Sequence, residues 1–168
     1  KISLAGAGVA AMADSKTNVE DALERMFYSS IGPDKINQLR HVRFFKDKAG
    51  IEAHMLKHAA IIGPKFAAVE EAMSKAFDGT GLATWTKPEG GYFVSVDLTD
   101  GCASETVKLC AEAGVKLTAS GACFPYGNDP RDRNIRLAPT MPTVDELERA
   151  MEVFCTTAKM VCLRKAAG

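Results

Sequence analysis

Apolar residues recur at helical spacing through the first half of the chain and at alternate positions through much of the second. Val19, Ala22, Leu23, Met26 and Phe27 fall at i, i+3, i+4, i+7 and i+8, which predicts a helix of about three turns. Thr17 and Glu20 have the spacing of a capping box at its start, and Ser29-Ser30-Ile31-Gly32 reads as its end. Pro33 suits a first helical position, so a second helix is predicted from there to about Asp47. A third helical stretch begins near Gly50, where Ile51, His54, Met55, His58 and Ile62 share one face. Its stripe resumes after Gly63-Pro64 as Phe66, Val69, Met73, Ala76 and Phe77. Pro64 has no amide hydrogen to give the ladder and should kink this helix or split it.

Past Asp78-Gly79 the period drops to two. Leu82 to Lys87, a turn at Pro88-Glu89-Gly90-Gly91, and Tyr92 to Leu98 with Val94 and Val96 between them form a predicted hairpin. Asp100-Gly101 turns the chain into a helix through Val107, Cys110 and Ala111, which Gly114 stops. Strands are predicted over 115–119 and 134–138. Thr143 and Glu146 cap a last helix that buries Leu147, Ala150, Met151, Phe154, Cys155 and Ala158. The opening KISLAGAGVAAMADS reads as a loop leading into a strand near Gly8 to Ala13. Helices thus dominate 17–78 and a small sheet with covering helices forms 80–165, an α/β pattern.

Composition narrows the function more by exclusion than by suggestion. The 168 residues carry 21 basic and 21 acidic side chains, a balance that points to neither nucleic acid nor an anionic membrane surface as partner. No apolar run approaches the roughly 20 residues that span a bilayer, and the start lacks the plan of a signal peptide. A cytoplasmic location is the expectation. The five cysteines, at 102, 110, 123, 155 and 162, show no C-x-x-C spacing and are odd in number, which predicts reduced thiols acting mostly as core residues. That role extends to Cys123, although it lies in a glycine-rich loop.

Three local patterns invite chemical readings. His54 and His58 have the i, i+4 spacing of a metal pair, but His-Met-Leu-Lys-His lacks the glutamate of the metalloprotease motif and has no obvious third ligand. Packing in a core or interface is expected, with no metal site. Gly6-Ala7-Gly8-Val9-Ala10-Ala11 matches the dinucleotide fingerprint, yet that motif needs a strand before it and a helix straight after it. Lys35, Arg40, His41 and Arg43 concentrate positive charge that reads as a solvated or interface face, with an anion contact as the alternative.

The chain is organised around GACFPYGNDPRDRNIRLAP, residues 121–139, a loop rich in glycine and proline that delivers Arg136 between Ile135 and Leu137. Side chains alternate along a strand, so if Ile135 and Leu137 face a core, Arg136 faces a cleft or the far side of the sheet. A guanidinium held there matches a carboxylate or phosphate with two parallel bonds. A structural salt bridge to one of the chain's own carboxylates is the competing reading.

With the lysine at the start, the Gly-Gly-Tyr-Phe hairpin and Asn-Ile-Arg-Leu-Ala-Pro in view, the chain resembles the C-terminal part of a fold type I aminotransferase dependent on pyridoxal phosphate. It is similar in particular to the bacterial MocR-like aminotransferases. The words that carry the resemblance are KISLAGAGVA, IGPDKINQLRHVRFF, PKFAAVEEA, WTKPEGGYFVSVDL and EAGVKLTASGACFPYGNDPRDRNIRLAPT, and together they cover essentially the whole chain.

The resemblance implies an α/β fold: the end of the large cofactor domain over 1–47, an interdomain helix over 48–79 and the small C-terminal α/β domain over 80–168. It implies that Lys1 is both the catalytic residue and the covalent attachment point of pyridoxal 5'-phosphate, and that Arg136 holds the substrate α-carboxylate. The substrates implied are an amino acid, in particular aspartate, and a 2-oxo acid, in particular 2-oxoglutarate, handled by a homodimer with shared active sites. The family's phosphate-binding arginine is replaced by Val9 here, and Lys35 or a residue upstream of Lys1 is a candidate to supply that charge. Lys35 and Arg40 are candidates for a distal carboxylate. Most other cofactor contacts are implied to lie upstream of Lys1, so the fragment alone is expected not to transaminate. The alternative is the cofactor-binding sensor part of a GntR-type transcription regulator, without turnover.

Overall fold

A computed structural model describes Ser3 and residues 6–168 of the protein. The chain divides into two compact units, Lys1–Ala59 and Ala60–Gly168. The elements in order are α1 (Lys16–Ser30), α2 (Lys35–Phe45), α3 (Lys48–Phe77), β1 (Ala83–Trp85), β2 (Val94–Leu98), α4 (Ala103–Glu112), β3 (Asn134–Leu137) and α5 (Val144–Ala167).

In the first unit, local capping chemistry sets the helix boundaries. The Ser15 hydroxyl accepts from the Asn18 amide at 3.3 Å, and Asp14 accepts from the Asn18 side chain at 2.8 Å. The cap is therefore Ser15, and Thr17, the expected cap, lies inside the first turn of α1. Asp34 caps α2 through the Asn37 amide at 2.9 Å, so Pro33 precedes the cap instead of opening the helix. The expected strand near Gly8 to Ala13 is absent, since residues 8–15 take no regular structure and find no strand partner among the described residues. α1 and α2 contain no buried residue: Leu23, Met26, Phe27 and Leu39 are all exposed. Gly50 lets α3 start hard against α2, because a Cβ there would collide with the Phe45 carbonyl oxygen. α3 is not split at Pro64, which it takes into its interior.

The second unit is built on an antiparallel sheet of order β1-β2-β3. Alternation sends Val94, Val96 and Leu98 of β2, with Ile135 and Leu137 of β3, to one face. That face packs with Val69, Met73 and Phe77 of α3 and with Met151, Phe154 and Val161 of α5 in one core. The predicted capping box of α5 is present: Glu146 Oε2 accepts from the Thr143 amide at 2.8 Å, and Thr143 Oγ1 accepts from the Glu146 amide at 3.3 Å. Gly114 follows α4 with φ 89°, the left-handed backbone that ends a helix.

The strand expected over 115–119 does not form. Val115 and Leu117 still pack on the core, as their alternation implies, while the Val115 amide is spent on the Cys110 carbonyl at 2.8 Å. Cys102, Cys110, Cys155 and Cys162 are buried free thiols, and burial pushes the Cys155 thiol up to about 11. Cys123 is exposed, contrary to the core role expected of it, because its loop runs over the surface.

Candidate functional site

Arg136 stands on β3 with its two neighbours committed to the core: Ile135 is fully buried and Leu137 nearly so. The sequence reading of opposite facing therefore holds. Asp129 steers the chain into this strand. Its Oδ2 accepts from the amides of Arg133 and Asn134, both at 2.8 Å, and Oδ1 from that of Arg131 at 3.0 Å. Burial opposes its charge, but these amides and the Arg133 guanidinium hold the Asp129 carboxyl below the usual range.

The register sets Arg136 directly across from Ser95 and Asn134 across from Asp97. On that face Asn134 Nδ2 donates to Ser95 Oγ at 2.9 Å and to Asp97 Oδ1 at 2.8 Å. Asp97 Oδ2 takes Arg133 at 3.1 Å. The carboxylate available on this face is thus already engaged by Asn134 and Arg133. Arg136 makes no ion pair with any described residue, which overturns the salt-bridge reading. Its guanidinium carbon lies 4.4 Å from the centroid of the Phe93 ring, and its Nε is buried with no hydrogen-bond partner. A cation stacked on an aromatic face, with a donor left over, is an arrangement suited to receive an anion.

A cavity of about 250 Å³ runs beside β3, walled by Thr118, Arg136, Leu137, Met141, Met151 and Phe154. The lining is mostly apolar, with Lys116 and Arg136 as its basic residues. Glu70, which sequence reasoning passed over, ties the hairpin to α3. It accepts from Trp85 Nε1 at 2.7 Å, pairs with Lys87 and takes the Ser74 hydroxyl. Phe93 and Asn134 were missed as well. The Gly-Gly-Tyr-Phe turn was the signal that an aromatic would reach the arginine's neighbourhood.

In the first unit, Lys1, the expected catalytic and cofactor-attaching residue, lies outside the described residues. Ser3 is described, and its hydroxyl lies 2.7 Å from His41 Nε2. Asn37 Nδ2 donates to the Ala7 carbonyl at 2.9 Å and the Gly8 carbonyl at 3.3 Å. α1 begins at Lys16, so no helix N-terminus meets the glycines at 6 and 8, and the dinucleotide reading fails. Lys35 and Arg40 are exposed on α2. His54 and His58 touch each other, Nε2 to Nε2 at 3.0 Å, and His54 also stacks edgewise on Phe44 and Phe45. No group of three metal-ligating side chains occurs among the described residues.

A primary amine is the donor type that a carbonyl-bearing cofactor takes, and a guanidinium is the type that a carboxylate takes. Ser3, Ala7 and Gly8, which follow the lysine in sequence, are tied to α2. Around Gly6 and Gly8 the backbone is open, with nothing within 4 Å of an added Cβ. An arginine with a spare donor provides for a carboxylate.

A family model described as aspartate amino-transferase matches residues 1–168. The chain is 45% identical over 156 residues to an aspartate aminotransferase of Corynebacterium glutamicum, covering 93% of this chain and 36% of that protein. It superposes on the crystal structure of an aspartate transaminase from the same species with a TM-score of 0.80 and 41% identity, covering 90% of this chain and 36% of the other. A kynurenine aminotransferase of Pyrococcus horikoshii shares the fold at a TM-score of 0.70 and 21% identity, over 86% of this chain and 35% of that one. The chain spans little more than a third of the length of these relatives.

Proposed function

Because the chain belongs to the aspartate amino-transferase family, we propose that it is the C-terminal part of an enzyme dependent on pyridoxal 5'-phosphate. The enzyme moves an amino group between an L-amino acid, aspartate, and a 2-oxo acid, 2-oxoglutarate, and belongs to the MocR-like branch. Its mixed α/β fold is that of the C-terminal part of a fold type I aminotransferase. In this reading residues 1–47 complete the large domain, 48–79 link the domains and 80–168 form the small one. The active enzyme is a homodimer, and the fragment alone does not turn over.

One observation carries the reading: Arg136 is held on a strand, stacked on Phe93, with a buried Nε that has no hydrogen-bond partner and with no ion pair among the described residues. A substrate α-carboxylate would complete it. Arg136 then orients the amino acid, a positioning contribution that converts binding energy into rate. The Phe93 ring beneath the guanidinium removes competing water from one side and leaves the donor edge free. Bound pyridoxal phosphate would supply the aldehyde carbon that an amine attacks and the ring that takes up the electron pair left at the substrate Cα. The Lys1 amine would be the base that lifts the Cα proton and gives it back.

The test is Arg136→Ala in the full-length protein. KM for L-aspartate should rise by roughly ten- to a hundredfold, the size of a lost charge-assisted pair. Arg136→Lys should recover part of it, as a point charge without the planar fork. An unchanged KM in the alanine variant would remove Arg136 from the substrate site.

A further inference from the structure

The amino-terminal segment is held by two side chains of α2 that stand one turn apart, Asn37 and His41. His41 Nδ1 lies 2.8 Å from the carbonyl oxygen of Asn37. A carbonyl can only accept, so Nδ1 carries the proton, and in the neutral ring Nε2 is left as an acceptor. The Ser3 hydroxyl, 2.7 Å from Nε2, is therefore the donor in that bond. Asn37 uses both amide hydrogens on the carbonyls of Ala7 and Gly8. One imidazole with an assigned tautomer and one amide thus fasten residues 3, 7 and 8. Gly6 and Gly8 have open space where a side chain would sit, so among the described residues these polar bonds are the contacts that the structure gives this stretch of backbone.

We infer that His41 is a positioning residue for Lys1, acting through Ser3. The inference rests on the reading of Lys1 as the cofactor-bearing lysine. Two residues of chain span at most about 7 Å, so a fixed Ser3 confines the backbone from which the lysine departs. The Asn37 amide confines the far side of the same short segment. Preorganisation of this kind moves entropy from the reacting state to the fold.

The experiment uses the full-length protein loaded with pyridoxal phosphate and three variants, Ser3→Ala, His41→Asn and His41→Gln. The asparagine amide nitrogen takes the place of Nδ1 and keeps the bond to the Asn37 carbonyl, but it cannot reach Ser3. The glutamine oxygen takes the place of Nε2 and can still accept from Ser3. Three readouts are followed: the borohydride-trapped adduct on Lys1, the pH midpoint of the cofactor's visible absorption, and the rate of cofactor loss into cofactor-free buffer. Ser3→Ala and His41→Asn should each speed cofactor loss by roughly three- to tenfold, the worth of one hydrogen bond. They should shift the absorption midpoint together, and their effects should not add. His41→Gln should stay near wild type, and the cofactor-free variants should melt as wild type does.

Absorption and loss rates unchanged in both Ser3→Ala and His41→Asn would overturn the positioning role while leaving Lys1 in place. An unlabelled Lys1 in the saturated wild-type protein would instead overturn the reading beneath it, and the inference with it. A His41→Gln variant as impaired as His41→Asn would show that the ring acts by packing and would equally overturn the role assigned to its Nε2.

Discussion

Residues 1–59 and residues 60–168 satisfy the same helix rules and end in opposite states. α1 and α2 are capped by Ser15 and Asp34 and carry regular apolar residues, yet none of those residues is buried. α5 is capped by Thr143 and Glu146 and buries eight of its residues, Phe154 and Val161 among them. Capping chemistry therefore specifies where a helix begins, whereas burial depends on what lies opposite. In the second unit a sheet lies opposite; in the first, no described residue fills that place.

The sharpest way to break the comparison is to truncate an apolar side chain in each unit. Phe154 is 1% exposed at the centre of the core, and Phe154→Ala should cost about 3–5 kcal/mol through lost transfer energy and the cavity left behind. Phe27 is 58% exposed on α1, and Phe27→Ala in the same 168-residue chain should stay within about 0.5 kcal/mol. Denaturant titration of the two variants measures both. Comparable losses would mean that α1 finds a packing partner in solution.

The caps sharpen it at smaller amplitude. Thr143→Ala removes one arm of the reciprocal pair with Glu146 and should cost about 1 kcal/mol, read as a loss of unit-wide stability because α5 is welded to the core. Ser15→Ala removes a similar bond on α1, with the Asp14 contact to Asn18 left in place. It should lower helical content by circular dichroism with little change in the main unfolding transition. A Ser15→Ala variant that shifted the main transition as much as Thr143→Ala would tie α1 to the core.

This division also tracks what could be read without the structure. The hairpin, the α5 box and the Gly114 stop were legible because each is decided by residues within a few positions. Ser15 was missed because Thr17-x-x-Glu20 satisfies the same spacing, and the choice fell to Asp14, which supports Asn18 from outside the pattern. The 115–119 stretch has the alternation of a strand and uses it, but a strand also needs a neighbour to bond, which alternation cannot supply. For Arg136 the facing was legible from Ile135 and Leu137. Its freedom from carboxylates was not, since it depends on Arg133 and Asn134 claiming Asp97 across the sheet. The role of His41 was least visible of all, because its partner Ser3 lies 38 residues away.

Within the second unit the smallest expected effect comes from Glu70, which joins hairpin to helix at its edge. Burial works against its charge, but Lys87, the Trp85 indole and the Ser74 hydroxyl outweigh it and lower its carboxyl below the usual 4.5. A carboxyl whose folded value is depressed binds fewer protons folded than unfolded. Its contribution is therefore complete above about 4.5 and is lost as pH falls through the lower, folded value. With about a third of the side chain exposed, water screens the Lys87 pair and the gain stays under about 1 kcal/mol. Glu70→Gln keeps an oxygen for the indole and gives up the charge. Unfolding midpoints measured from pH 7 downward should show wild type ahead of the variant until about pH 4.5, with the gap closing below it. A gap that persisted at pH 3 would assign the difference to the geometry of the indole bond, and the ion pair with Lys87 would then contribute nothing to holding the hairpin on α3.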